Sequence, residues 1–322
     1  RSTGLHCCAM RIRAAVTLAL ALSPLVAQAQ TPPERQPIGR RELERAQDEL
    51  VSRRKYEAPV KPLKAAKLRE AIRDFQANDY KAAPMHLTYG EFVTASGYYF
   101  VAMHFDAALP ADVANATLFG TIDDNWSMEE PVTLQRAADG TAFYERSLPL
   151  KAGNHNATFG FAVNGEPASM ISVPMSLRTL DKATRGVSRL LVAKQVFPLD
   201  KVQAADDPFA FGGIKVVPEA DLTFHKNDEL WIFFEAQNPG VDESGAPKLT
   251  TNVTLEGNGK TKRGLAGDAQ PVALKGVPGH FGVGTTVDVS RLTPGEYLLR
   301  VSVEDAVAQA RYDLLEKIAI VE

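Results

Sequence analysis

Near Met85 the apolar residues change from helical spacing to strict alternation, and the alternation persists to the last residues of the chain. Turn residues interrupt it about every 8–12 positions, the pattern of an all-β chain built from packed sheets. Residues 98–105 are apolar on both faces and read as a central strand, with further strands at 116–121 and 132–136. Ala138-Asp139-Gly140 is a turn into 142–148, and Asn164-Gly165, the strongest short hairpin signal, joins 158–163 to 168–173. Residues 190–193 read as the last strand of this region, leading into a charged linker at 200–207. A second series begins at Phe209 and runs through 230–234, 249–255, a Gly257-Asn258-Gly259 turn, 272–274, 281–289, 297–303 and 312–321.

The two series match at a shift of 142. Leu150 falls on Leu292, Gly153 on Gly295, His155 on Tyr297, Ala157 on Leu299, Phe159 on Val301 and Phe161 on Val303. In each, a leucine precedes a glycine turn and then a strand with alternate inward positions. Leu292-Thr293-Pro294-Gly295-Glu296-Tyr297 has the form of a tyrosine corner, in which a buried Tyr hydroxyl bonds back to nearby backbone. The expected fold is therefore all-β: two immunoglobulin- or fibronectin III-like β-sandwiches, at 84–200 and 205–322, preceded by a helical arm.

That arm lies within residues 30–83. A proline-rich stretch, Thr31-Pro32-Pro33-Glu34-Arg35-Gln36-Pro37, reads as a tether. Leu43, Ala46, Leu50 and Val51, then Leu68, Ala71, Ile72 and Phe75, recur at helical spacing. Their apolar stripes are narrow, as suits helices lying on a following domain. Residues 1–29 read as a leader and signal peptide: Arg11 and Arg13, an apolar run over 14–26, and Ala27-Gln28-Ala29 before a cut at Gln30. Met10 just precedes the basic residues, so 1–9 read as sequence upstream of a start. The apolar run is too short to cross a bilayer core of about 30 Å. Both cysteines, Cys7 and Cys8, fall in this leader, so the mature chain is expected to have no disulfide, thiolate metal site or cysteine nucleophile. The formal charge is −3, and the leader removes only Arg1, Arg11 and Arg13. An acidic chain offers no general footprint for nucleic acid.

Sequence signatures of chemistry are sparse. Ser52-Arg53-Arg54-Lys55 fits Ser-x-x-Lys without its companion elements, and Gly257-Asn258-Gly259-Lys260-Thr261 lacks the first glycine of a phosphate loop. His104 and Asp106, two apart, share one face of a strand, a geometry open to acid/base work or the start of a metal site. The Asp123-Asp124-Asn125-Trp126 loop sets acid and amide oxygens beside an indole, which suits a sugar-stacking contact, although the simpler reading is an Asx turn with Trp126 folded onto the sheets. It departs from calcium-loop spacing. Trp231, in a strand apolar on both sides, reads as core.

Pro208-Phe209-Ala210-Phe211-Gly212-Gly213, then Asp228-Glu229-Leu230-Trp231-Ile232-Phe233-Phe234, Asn238-Pro239-Gly240 and Pro294-Gly295-Glu296-Tyr297 together resemble a group of exported bacterial proteins. These carry a carboxy-terminal immunoglobulin-like domain, some beside a Gly-Trp-x-Thr-Asp or von Willebrand type A module. This chain has neither module's motif, so nothing those modules do carries over. The expectation is an exported, periplasmic or secreted, non-catalytic binding or assembly module of the envelope. Its expected partner is a protein or glycan, with no cofactor and no metal. The alternatives are a carbohydrate-recognition module using Asp123, Asp124, Asn125 and Trp126, and a hydrolase using His104 and Asp106.

Overall fold

A computed structural model of the protein describes residues 61–93, 99–123, 126–179, 184–199, 207–267 and 269–322. The leader, the tether, the first helical pattern and the Ser52–Lys55 motif at residues 52–55 lie outside these residues, as do Asp124, Asn125 and residues 200–206. Among the described residues the chain is all-β, with several sheets and one helix, α1 (Ala66–Gln76). No helix among them is long and apolar enough to cross a membrane.

Helix α1 forms where the second helical pattern lies. Leu68, Ala71 and Ile72 are buried against Phe119, Ala162 and Met170 on the outer face of a sheet. No side chain at the helix start caps it. Glu129, on a strand, instead anchors the chain as it enters the helix, accepting the N–H groups of Ala65 (3.0 Å) and Lys64 (2.8 Å), and these bonds hold its carboxyl below the usual range. The helix ends at Asn78, whose φ of 62° is a left-handed conformation that Asn tolerates. There the N–H groups of Asn78 and Asp79 return to the carbonyls of Phe75 and Asp74.

The first lobe is one eight-stranded sheet made of β1 (Ala83–Val93), β2 (Tyr99–Ala107), β3 (Asn115–Ile122), β4 (Trp126–Thr133), β5 (Gln135–Arg136), β6 (Ala142–Leu148), β7 (Gly153–Val163) and β8 (Glu166–Leu177). Its order is β4-β3-β7-β8-β1-β2-β6-β5, and it folds over a core where Val101, Met103 and Phe105 meet Leu118, Phe159 and Phe161. Asn164 and Gly165, both at positive φ, make the tight turn between β7 and β8.

The second lobe has two sheets. One holds β9 (Gly186–Val187), β10 (Leu191–Pro198), β11 (Ala210–Phe211), β12 (Ile214–Pro218), β14 (Leu230–Gln237), β17 (Pro271–Ala273) and β18 (His280–Val287). The other holds β13 (Thr223–His225), β15 (Leu249–Gly257), β16 (Lys260–Arg263), β19 (Gly295–Asp305) and β20 (Ala310–Val321). Ile232 and Phe234 from the first sheet pack with Leu255, Leu299 and Val301 from the second. The Gly257-Asn258-Gly259 stretch that resembles part of a phosphate loop is the hairpin turn between β15 and β16, with Asn258 and Gly259 at φ 52° and 68°.

One strand is not where the sequence places it. Residues 190–193, read as the end of the first lobe, lead into β10, which pairs with β14 (Val192 opposite Ile232) and with β12 (Val196 opposite Val216). Adjacency in the chain favoured the first lobe; backbone pairing with strands that come later puts the segment in the second.

The second lobe repeats the pairing of the first. In each, seven strands in chain order, β2 to β8 and β14 to β20, form the same five antiparallel pairs: β3–β4, β3–β7, β7–β8, β2–β6 and β5–β6 recur as β15–β16, β15–β19, β19–β20, β14–β18 and β17–β18, and an earlier strand pairs with the first of each set, β1 with β2 and β10 with β14. The shift of 142 read from sequence lays β7 on β19, where Ala157, Phe159 and Phe161 and Leu299, Val301 and Val303 are all buried. Gly153 and Gly295 enter these strands at φ 136° and 147°, a backbone region that favours glycine.

Tyr297 is buried and its hydroxyl donates to the carbonyl of Thr293 at 2.7 Å. Tyr297→Phe is expected to cost about 1 kcal/mol, or roughly 3 if acceptors are stranded. Urea denaturation of the two proteins measures it, and equal midpoints would mean the corner bond adds nothing.

Strict alternation also explains how the lobes join. On β2, Val101, Met103 and Phe105 face the core of the first lobe, while Phe100 and Ala102 face outward. On β14, Ile232 and Phe234 face the core of the second lobe, while Phe233 faces outward. The outward residues meet: Phe92, Phe100 and Ala102 pack with Leu191, Phe209 and Phe233 in a buried seam. Trp231, expected in the core, is instead partly buried against this seam, with its indole N–H donating to Glu229 (3.1 Å). Both lobes fall within a single compact unit.

Candidate functional site

Beyond the apolar seam the same face of β2 turns polar, and a cleft of about 920 Å³ opens between the lobes. His104 and Asp106 both line it, together with His86, Glu145, Lys215 and Asp207. The pair does not bond to itself. Each member takes the residue directly across from it in the sheet: His104 Nδ1 meets Glu145 Oε1 on β6 (2.9 Å), and Asp106 Oδ1 meets His86 Nδ1 on β1 (2.7 Å). The His104 ring lies over Phe143 (5.2 Å between centroids, 18° between planes) and makes a T-shaped contact with Phe209.

The network crosses the joint. Lys215 of the second lobe bonds Asp207 (2.7 Å) and approaches Glu145 of the first (3.6 Å). Burial alone would push the Glu145 carboxyl up, but the His104 hydrogen bond and the Lys215 charge together outweigh it and hold the group below its usual range. Elsewhere in the wall, Arg146 is paired with Glu130, and the exposed Lys194 with Glu219 (2.6 Å).

The Asp106 hydrogen bond raises the pKa of His86 above its ordinary value, against the opposing effect of burial. Stability from this pair is therefore complete below the unfolded histidine pKa of about 6.5 and disappears as pH rises through the higher folded value. Asp106→Asn is expected to return His86 toward the ordinary value, read by an NMR titration of its ring protons. An unchanged midpoint would remove Asp106 as the cause.

The Asp123–Trp126 loop is elsewhere. Asp123 accepts from the Asn156 backbone N–H and from His155 Nδ1, both at 2.8 Å, and its carboxyl is lowered by those bonds in that order. His155 in turn bonds the Lys151 carbonyl through Nε2 (2.8 Å), four residues back, as Tyr297 bonds Thr293. A carbonyl and a carboxylate only accept, so both ring nitrogens donate and the imidazolium is the bonded form. The Asp123 bond foremost, then that of Lys151, accordingly raises the His155 pKa against desolvation. Trp126 begins β4, half-buried, and packs against the core of the first lobe. Asp123 is thus occupied in holding a turn, and Asp124 and Asn125 lie outside the described residues.

Among the described residues no three His, Cys, Asp or Glu side chains converge as a metal ion requires. The cleft brings His104 and Asp106 to one wall, as their spacing implies, and adds His86, Glu145 and Lys215. Only cross-strand register and lobe packing could reveal those three. No protein-family model matches the chain, and no curated protein matches it.

Proposed function

We propose that this chain is an exported binding or assembly module of the bacterial envelope, made of two immunoglobulin-like sandwiches, with the cleft between the lobes as its ligand-facing surface. The observation that carries the reading is the position of the cleft: it opens beside a buried apolar seam, so its polar walls are fixed relative to one another. Walls held in this way present a pre-formed pattern of charge, and pre-organisation is what recognition requires. The partner is a protein or a glycan. Export rests on the leader, and amino-terminal sequencing of the envelope form should begin at Gln30.

The test is an affinity capture from an envelope fraction, run with the wild-type chain and with Ala108→Trp, which fills the cleft from an exposed wall position. The expected result is a partner recovered by the first and lost by the second. Equal recovery by both would move the binding surface away from the cleft.

A hydrolase has one observation in its favour, since His104 and Asp106 share the cleft with the hydroxyl-bearing Ser147. Hydrolysis of envelope-derived peptides or glycans by wild type, abolished in His104→Ala, would support it over simple binding.

A further inference from the structure

We infer that the cleft takes a ligand bearing primary ammonium groups, of short-peptide size; this deepens the binding reading above and rests on it. Seven carboxylate side chains line the cleft against three from Lys and Arg. All three cations are already paired with wall carboxylates. The four carboxylates left over are Asp106, bonded to the His86 ring, Glu145, bonded to the His104 ring and 3.6 Å from the Lys215 that Asp207 already holds, and Asp139 and Asp221, which accept the backbone N–H groups of Thr141 and Thr223. A recess lined by one sign of charge between low-dielectric walls concentrates the opposite ion.

A second observation is independent of charge. Ser147 is 8 % exposed, lines the same cleft, and its Oγ has no hydrogen-bond partner within the protein. Buried hydroxyls without partners are rare, and this one is placed to meet a ligand. Carboxylates only accept, so the matching ligand must be rich in donors, and an ammonium offers three. The carboxylates are spread along the cleft and do not converge on a point, which fits an extended organic cation better than a metal ion. Phe143, Pro208 and Pro218 supply apolar wall for the methylene stems of such a ligand. A volume of about 920 Å³ has room for a few residues of peptide.

The probe is trilysine with a fluorescent label on its α-amine, compared with the same labelled peptide acetylated on every side-chain amine, titrated into the full chain at low and at physiological salt. Wild type should bind trilysine and not the acetylated form. Asp106→Asn/Asp221→Asn should weaken binding tenfold or more. Glu243→Gln/Glu296→Gln, which removes the same charge from exposed positions outside the cleft, should change it less than twofold. Gln135→Lys places an ammonium on the exposed cleft edge without removing any hydrogen bond described there, and should also weaken binding tenfold, so the inference does not depend on the double variant folding. Equal loss in the cleft and distant variants, or equal binding of the acetylated peptide, would overturn it. If trilysine fails to bind while an envelope partner is still lost on Ala108→Trp, the ligand class is wrong and the binding module stands. If neither occurs, both fall.

Discussion

Phe209→Ala is expected to destabilise the protein by about 3–5 kcal/mol, as much as truncating a phenylalanine in the centre of either lobe. Phe209 is fully buried, yet it belongs to neither lobe's own core; its neighbours are Phe92 and Phe100 from the first lobe and Leu191 and Phe233 from the second. Urea denaturation followed by circular dichroism and by tryptophan fluorescence measures the loss. A matched change at Val272, 55 % exposed, should stay within about 0.5 kcal/mol. If Phe209→Ala cost as little as Val272→Ala, the seam would be a loose contact and the cleft beside it would have no rigid frame.

The second large effect lies along the same junction. Glu235 is almost wholly buried on β14, hydrogen-bonded to His280 and 3.8 Å from Arg178, and its backbone N–H donates to Ser188 Oγ at 2.9 Å. Glu235→Ala would remove the acceptor that His280 bonds and the carboxylate nearest Arg178, and leave a buried void. The expected cost is about 3–5 kcal/mol, the usual result of removing one member of a buried pair. Glu235→Gln keeps an acceptor in place and should cost distinctly less. Thermal melts of the three proteins order them, and alanine no worse than glutamine would show that hydrogen bonding at this site contributes little.

Much of the fold was legible because its signals are local. Asn164-Gly165 and Asn258-Gly259 make their turns with the positive φ that such pairs adopt, and Leu68, Ala71 and Ile72 bury the stripe that their spacing marks. The double-faced apolar strands at 98–105 and 230–234 were legible as central, but the reason was not. Their outer faces are covered by the opposite lobe, and alternation cannot say what covers a face. The short strands β12 and β13 went unread because each is fixed by its partners more than by its own residues. The same limit applies to the cleft. His104 and Asp106 share a face by arithmetic, whereas Glu145 and His86 join them only through register between strands far apart in sequence, and Lys215 only through the meeting of the lobes.

The pairing of β10 has a consequence for any attempt to separate the lobes. A gene cut at residue 204 would leave β10 attached to the amino-terminal product, and β14 in the other product would lose the neighbour that bonds along Trp231–Phe233 at residues 231–233. An open edge of that kind recruits whatever extended chain is available. Two such products mixed together are expected to reassemble by strand donation, and the carboxy-terminal one kept alone to polymerise or swap. The segment that leads into β10 therefore belongs with the carboxy-terminal product, and a division that leaves each product a complete sheet has to fall before Gly186, where β9 begins.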